Sequence, residues 1–150
     1  MSKVGTLCSL IFSFIGVGLG ISASIVFYFY GNSMAVFWAC TSACLALLNF
    51  HLHYLYFKEK LEEWHSEETM DAIKALAAAI FFSVLGIFGW FIFRIFFEHL
   101  SVYPIKDSLI ITSVWTFMTA KWAFFLLRTS GKYGSLLETL NRPLLSRSTA

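Results

Sequence analysis

Two histidines lie two positions apart where a long apolar run meets its first charges, in NFHLHYLYFKEK, residues 49–60. Neutral imidazole is a common ligand of transition metals, so either histidine could bind one. On a helix, one face of this region carries polar side chains at steps of seven, four, three and four: Ser42, Asn49, His53, Tyr56 and Lys60. His51 points nearly the opposite way and fits a membrane interface. His53 is therefore the candidate ligand, and a hydrogen bond to a neighbouring helix is the competing interpretation.

The last apolar run also carries residues suited to binding. At helical spacing it has one stripe of threonines and an adjacent stripe of aromatic and sulfur-bearing side chains: Thr112, Thr116 and Thr119, then Trp115, Met118, Trp122 and Phe125. Such a wall suits a flat apolar ligand and equally suits ordinary packing. Lys121 either extends to the membrane interface or pairs with a ligand carboxylate.

The composition indicates that these residues are positioned by membrane-spanning helices. Of the 150 residues, 58% are hydrophobic and 13% charged, against about 25% charged in an average soluble domain. Residues 4–57 contain no Asp, Glu, Lys or Arg. At roughly 20 residues per crossing, this run makes two helices, and a turn at Gly31 and Asn32 separates them. The run is too long for a signal peptide, so we interpret its first part as a retained span.

The whole pattern predicts an all-α, four-helix transmembrane bundle forming a single domain. The predicted spans are 4–30, 33–57, 75–94 and 108–127, with a polar loop at 58–74, a second loop at 95–107 and a tail at 128–150. Small residues at three- and four-residue steps predict close helix packing in the first and third spans: Ser9, Ser13, Gly16, Gly20 and Ser24, then Ala79, Ser83 and Gly86.

The distribution of basic residues predicts the orientation. Eight lie on one side of the predicted membrane: Lys3, Lys58, Lys60, Lys74, Arg128, Lys132, Arg142 and Arg147. Arg94 and Lys106 lie on the other, so both termini should be cytosolic and loop 95–107 exoplasmic. The net charge of +2 does not suggest a nucleic-acid partner. The bilayer is the expected partner of the apolar faces.

Several function classes find no support. The sequence carries no nucleophile or zinc-protease motif, so we do not predict an enzyme. Cys8, Cys40 and Cys44 fall inside predicted spans, where a thiol acts as a small hydrophobe. The predicted spans contain no acid for a proton pump, and histidines occur in the second span alone, which disfavours a stably bis-ligated heme.

What remains is a sparse series of potential ligands: His99 outside, His53 near the inner end of a span, and Arg128, Lys132 and Tyr133 inside. An iron porphyrin would fit, because iron accepts imidazole and phenolate, the macrocycle stacks on aromatic rings and the propionates need cations. From the residues alone, a tetraspan adaptor, a heme-binding regulator and a cation channel remain alternatives. His65, in the charged loop, is expected to be solvated.

Three segments resemble the heme-responsive gene family of small four-span heme permeases. TSVWTFMTAKWAFFLL, residues 112–127, is similar to the family's fourth-span signature, and HYLYFKEKLEEW, residues 53–64, aligns with its second span. EHLSVYP, residues 98–104, lies where the family has its exoplasmic histidine. The family's aromatic-Ala-Arg-Lys-Tyr motif reads Thr-Ser-Gly-Lys-Tyr at residues 129–133.

The resemblance implies that heme is the transported substrate and that His53 and His99 interact with it. Lys132 and Tyr133 would form the inner contact, with Arg128 replacing a lost cation. We add the neighbouring candidates from the helix faces: Asn49, Tyr56, Trp115, Lys121 and Trp122. Heme would pass from the exoplasmic or lumenal side to the cytosol. A chain of 17.1 kDa leaves little interior, which suggests a homo-oligomer. The plasma membrane and endosomal or lysosomal membranes remain open, as does the driving force.

Overall fold

A computed structural model describes the backbone of residues 3–148 and the side chains of residues 3–140. Throughout that part of the chain, regular structure is helical. The elements are α1 (Lys3–Phe29), α2 (Ser33–Phe57), the short α3 (Leu61–Trp64), α4 (Glu67–Phe97), a 3₁₀ turn (Ile105–Asp107) and α5 (Leu109–Ser148). The four long helices are long and apolar enough to cross a membrane. The predicted all-α class with four candidate spans is confirmed.

The helices extend further than the predicted spans in the second half of the chain. α1 and α2 agree with their predictions to within a residue at each end, whereas α4 begins at Glu67 instead of 75 and α5 continues far beyond 127. The Ser66 hydroxyl caps α4 by accepting a hydrogen bond from the Thr69 amide at 3.3 Å. Polar residues propagate an existing helix readily, so loss of hydrophobicity marks a membrane edge without ending the helix. The side chains of Arg142 and Arg147 lie outside the described residues.

The long helices pack in the order α1, α2, α5, α4. α1 packs on α2, α2 on α5, and α5 on α4, so α2 and α5 form the centre of the bundle. The outer helices α1 and α4 bury less of their most apolar stretches than α2 and α5 do. Their exposed apolar faces suit contact with lipid chains.

The small residues of α1 permit its close approach to both central helices. Ser13, Gly16 and Gly20 are buried. A Cβ atom on Gly16 would overlap the Trp122 ring of α5, and one on Gly20 would lie 2.8 Å from the Cβ of Ala43 in α2. The predicted packing stripe of the first span is therefore present.

The corresponding prediction for α4 is wrong within this chain. Ala79, Ser83 and Gly86 are exposed. α4 instead buries residues at seven-residue steps, Met70, Ala77, Val84 and Phe91. That spacing keeps one seam of α4 facing α5, and the small residues fall on a different face.

One asparagine ties together the two turns at the end of the bundle away from the chain termini. The Asn32 side chain accepts a hydrogen bond from the Ala35 amide at 2.9 Å and donates one to the Ile105 carbonyl at 2.9 Å. Gly31 precedes it with a φ of +74°, which glycine adopts without steric cost. The α1–α2 turn is thus joined to the segment that leads into α5.

Candidate ligand-binding cavity

A cavity of about 550 Å³ lies between α1, α2 and α5, in the half of the bundle predicted to face the cytosol. Six of the predicted site residues line it: Asn49, His53, Trp122, Arg128, Lys132 and Tyr133. The rest of its lining is Ser9, Phe12 and Ser13 from α1 and Phe124, Phe125 and Thr129 from α5. Its volume is within the usual range for small-molecule sites. One chain therefore brings most of the predicted residues together.

The buried side of the cavity contains a histidine–tyrosine pair. His53 Nδ1 lies 2.7 Å from the Tyr133 hydroxyl, with His53 8% exposed and Tyr133 fully buried. The Tyr133 ring stacks on Tyr56 with 4.8 Å between centroids and 15° between planes. Because Nδ1 is occupied by this hydrogen bond, Nε2 is the nitrogen through which His53 can bind a metal.

Asn49 joins α2 to α5 one helical turn away from His53. Its amide nitrogen donates hydrogen bonds to the carbonyls of Leu45 at 3.0 Å and Trp122 at 3.1 Å. Its amide oxygen accepts one from the Thr129 hydroxyl at 3.4 Å. Asn49 is 1% exposed. Since its polar groups already bond to protein atoms, its evident role is to hold the cavity wall.

Aromatic rings and cations also line the cavity or lie directly beside it. The Trp122 ring centroid lies 5.2 Å from that of Phe12 and 5.8 Å from that of Phe125. Lys121 Nζ lies 4.6 Å from the centroid of the Trp122 ring and 5.2 Å from that of Phe12. These cation–π contacts keep the ammonium beside the aromatic wall. Arg128 and Lys132 bring further positive charge to the same cavity.

Four predicted site residues lie outside the lining of this cavity, among them Lys121, which contacts the aromatic wall as described above. His99 is exposed in the loop after α4, Trp115 packs against Phe27 with centroids 6.3 Å apart, and Tyr56 lines a neighbouring cavity. Helical spacing puts Trp115 and Trp122 on one stripe of α5. Because that stripe extends beyond the cavity, Trp122 lines the cavity and Trp115 does not.

Sequence reasoning did not identify the contribution of α1. Ser9, Phe12 and Ser13 line the cavity, yet the sequence showed Ser9 and Ser13 as packing residues and Phe12 as one of many apolar residues. Their position depends on how closely α1 approaches α5 at Gly16, which is a tertiary property. No local pattern in the first span carries that information.

The prediction that His65 is solvated is wrong. Both of its ring nitrogens are buried and, among the described residues, neither has a hydrogen-bond partner. Its ring packs edge-on against His51, with centroids 5.7 Å apart. Burial, followed by the neighbouring His51, lowers the pKa of His65. The cause is the short α3, which folds back onto α2.

The fold and the cavity define a multi-pass helical membrane protein with an internal ligand-sized space. Over residues 74–122 the chain matches the family model described as "Haem-transporter, endosomal/lysosomal, haem-responsive gene". The predicted resemblance is thereby confirmed for a segment covering most of α4, the His99 loop and α5 as far as Trp122. His53 and Tyr133 lie outside it. No curated protein and no solved structure matches the chain.

Proposed function

We propose that this protein is a heme permease that carries heme from the exoplasmic or lumenal side to the cytosol and holds it, on the way, in the cavity between α1, α2 and α5. The observation that carries the proposal is the convergence of the buried His53 with aromatic rings and cations around about 550 Å³. An iron porphyrin needs these three elements: an imidazole, a flat apolar wall and positive charge for its propionates. The family match over residues 74–122 supports heme as the substrate.

In this proposal His53 binds the iron through Nε2. That tautomer requires the proton on Nδ1, so the Nδ1–H group donates to the Tyr133 hydroxyl oxygen 2.7 Å away. Histidines that bind metals usually donate their second N–H to a fixed acceptor, which orients the ring and raises its basicity. Tyr133 then acts as a positioning residue. As an iron ligand in its own right it would first have to lose this hydrogen bond.

The macrocycle lies against Phe12, Trp122 and Phe125, and its two propionates point toward the cations. Arg128 and Lys132 line the cavity, and Lys121 lies beside the aromatic wall. Arginine can bind a carboxylate with two parallel hydrogen bonds, whereas lysine acts as a point charge. Arg128 is thus well suited to replace the basic residue missing from the 129–133 motif.

Transport starts at His99, which is exposed in the loop predicted to be exoplasmic, and ends at the inner side beside Lys132 and Tyr133. Each contact has to release the iron quickly, so a single neutral imidazole at each station serves better than two. The family description supports an endosomal or lysosomal membrane, with the plasma membrane as the alternative.

A homo-oligomer remains part of the proposal, but the argument that one small chain lacks interior space is weaker than the sequence suggested. The first cavity lies within one chain, so a subunit interface is not needed to provide space for the substrate. The native mass of active protein tests the oligomer. An active monomer would contradict the proposed oligomer and leave the proposed cavity unaffected.

Uptake of labelled heme into vesicles containing the purified protein tests the function. We expect uptake by the unaltered chain, loss of at least about tenfold in His53→Ala, and near-normal uptake in His51→Ala, the matched control two residues away. Uptake at background by unaltered protein that still binds heme would indicate a heme-binding regulator. Absence of both binding and uptake would indicate an adaptor. Heme-dependent growth of a heme-synthesis-deficient cell tests uptake in vivo, because a permease rescues growth and an adaptor does not.

A further inference from the structure

A second cavity, of about 340 Å³, continues the cleft that holds the first. It uses the next turns of the same helices: Lys3 and Thr6 precede Ser9 on α1, and Tyr56 and Phe57 follow His53 on α2. On α5, Leu136, Leu137 and Leu140 follow Tyr133. The two cavities are therefore consecutive compartments along α1, α2 and α5.

The stacked rings of Tyr56 and Tyr133 separate the two compartments. Tyr133 lines the first cavity and Tyr56 lines the second, and their rings are nearly parallel at 4.8 Å. Only Tyr133 is anchored by the hydrogen bond to His53. When His53 moves or changes partner, the restraint on this stack is reduced. The partition is thus connected to the proposed iron ligand.

The second cavity differs from the first in its chemistry. Its walls are mainly apolar, formed by Phe57, Leu61, Leu136, Leu137 and Leu140. Its charged lining residues are Lys3, Glu59 and Glu62, with Lys3 Nζ 3.6 Å from Glu59 Oε1. Among the described side chains, the first cavity is lined by Arg128 and Lys132 and by no carboxylate. A dianionic porphyrin therefore loses favourable charge interactions on passing from the first to the second.

We propose that the second cavity is a low-affinity release site for the porphyrin, resting on the proposed function. Its apolar walls contact the macrocycle, its lining among the described side chains offers no imidazole or thiol to the iron, and its carboxylates repel the propionates toward the cytosol. Heme reaches it from His53 when the Tyr56–Tyr133 stack separates. The weak site follows the strong one on the path to the cytosol, so heme that has left His53 is not held tightly again before it is released.

Leu140→Trp tests the release site by filling it. Leu140 lines the second cavity and is 54% exposed, so a larger side chain is tolerated by the fold. Leu76→Trp on α4, at 56% exposed and outside both cavities, is the matched control. In vesicles, we expect Leu140→Trp to reduce the initial rate of heme uptake about tenfold while leaving the His53-dependent heme spectrum and affinity unchanged. Leu76→Trp should change neither.

Normal uptake in Leu140→Trp, alongside uptake by the unaltered chain, would overturn this inference and leave the proposed function intact. Failure of the unaltered chain to bind or transport heme would overturn both. A second variant tests the charge: Glu62→Gln should speed the release of preloaded heme from His53 several-fold, because less repulsion makes the second cavity easier to enter. Release at an unchanged rate would contradict the role of the carboxylates.

Discussion

The inner and outer halves of the contact between α2 and α5 use polar residues in different ways. Outward of Trp122, α5 buries Thr112, Thr116 and Thr119 completely or nearly so. Their hydroxyls donate to carbonyls of their own helix at 2.8–3.0 Å, and Thr119 also donates to the Trp38 carbonyl at 3.0 Å. Inward of Trp122, the polar side chains Asn49, His53 and Tyr133 bond from one helix to the other.

This difference in hydrogen bonding determines where cavities remain between the helices. Short side chains that bond back to their own helix let two helices approach closely. In the same half, α2 buries small residues, of which Ala39 and Ala43 lie against Gly20 of α1. Longer side chains that bridge two helices hold them apart, and the cavities lie beside these bridges. At the outer end, a cavity of about 360 Å³ is lined by Asn32, Lys106 and Thr112 among others. Between that cavity and Trp122, α5 is packed through the buried Thr116, Thr119 and Ala120, so transport requires this part of the bundle to open. Polar residues on a membrane helix can thus serve either packing or binding, depending on where their hydrogen bonds go.

The largest effect on the inner half is expected from Tyr133→Phe. This change removes the acceptor of the His53 Nδ1–H group and keeps the buried ring. We expect heme affinity to fall about 10–100-fold, the usual cost of losing the partner of a metal-binding histidine. In the ferrous complex, the iron–histidine stretching frequency should also fall, because the imidazole becomes less basic. Tyr56→Phe, which keeps the same ring stack, is the control, and equal affinity in the two variants would contradict the positioning role.

Gly16→Ala should separate α1 from α5 at the boundary between the two halves. The added Cβ overlaps the Trp122 ring, so the variant should lose about 1–3 kcal/mol of stability, as overpacked sites do. Gly18→Ala is matched, since a Cβ there meets nothing within 4 Å, and it should be neutral or stabilised by up to about 1 kcal/mol. Reversible unfolding in mixed micelles measures both. Equal stabilities would show that α1 does not approach α5 as described.

Removing hydroxyls from the outer half should have small and graded effects. Thr119→Val loses a hydrogen bond between helices and should cost about 1 kcal/mol, while Thr116→Val loses one within its own helix and should cost less than about 0.6 kcal/mol. Both should keep normal heme affinity because neither residue lines the cavity. Weaker heme binding in Thr116→Val would indicate that heme binds in the outer half, and would contradict the assignment of binding to the inner half.

The smallest expected effect is on the pH dependence of stability, through His65, which lies outside both halves. The lowered pKa of His65 means that the unfolded chain binds more protons than the folded chain as the pH falls below the ordinary value of 6.5. Stability should therefore decrease as the pH falls through this range. His65→Gln should show a smaller decrease between pH 7.5 and 5.5 than the unaltered chain, and His99→Gln, which alters an exposed histidine, should not. An identical decrease in His65→Gln would contradict its burial as a neutral group.

Much of this arrangement could be predicted where a local pattern determines the outcome. The charge-free run and the turn at Gly31 and Asn32 predicted α1 and α2, and the 3.6-residue period of α2 predicted that Asn49 and His53 share an inward face. The ends of α4 and α5 were missed, because their polar extensions remain helical. Phe12 and the second cavity were missed, because both depend on distances between helices that no single segment encodes.

The most direct test of the central claim is the absorption spectrum of the purified protein with ferric heme. If the His53 imidazole binds the iron, the unaltered chain and His51→Ala should share a Soret band typical of imidazole ligation, and His53→Ala should lose it. A His53→Ala spectrum identical to that of the unaltered chain would contradict the account.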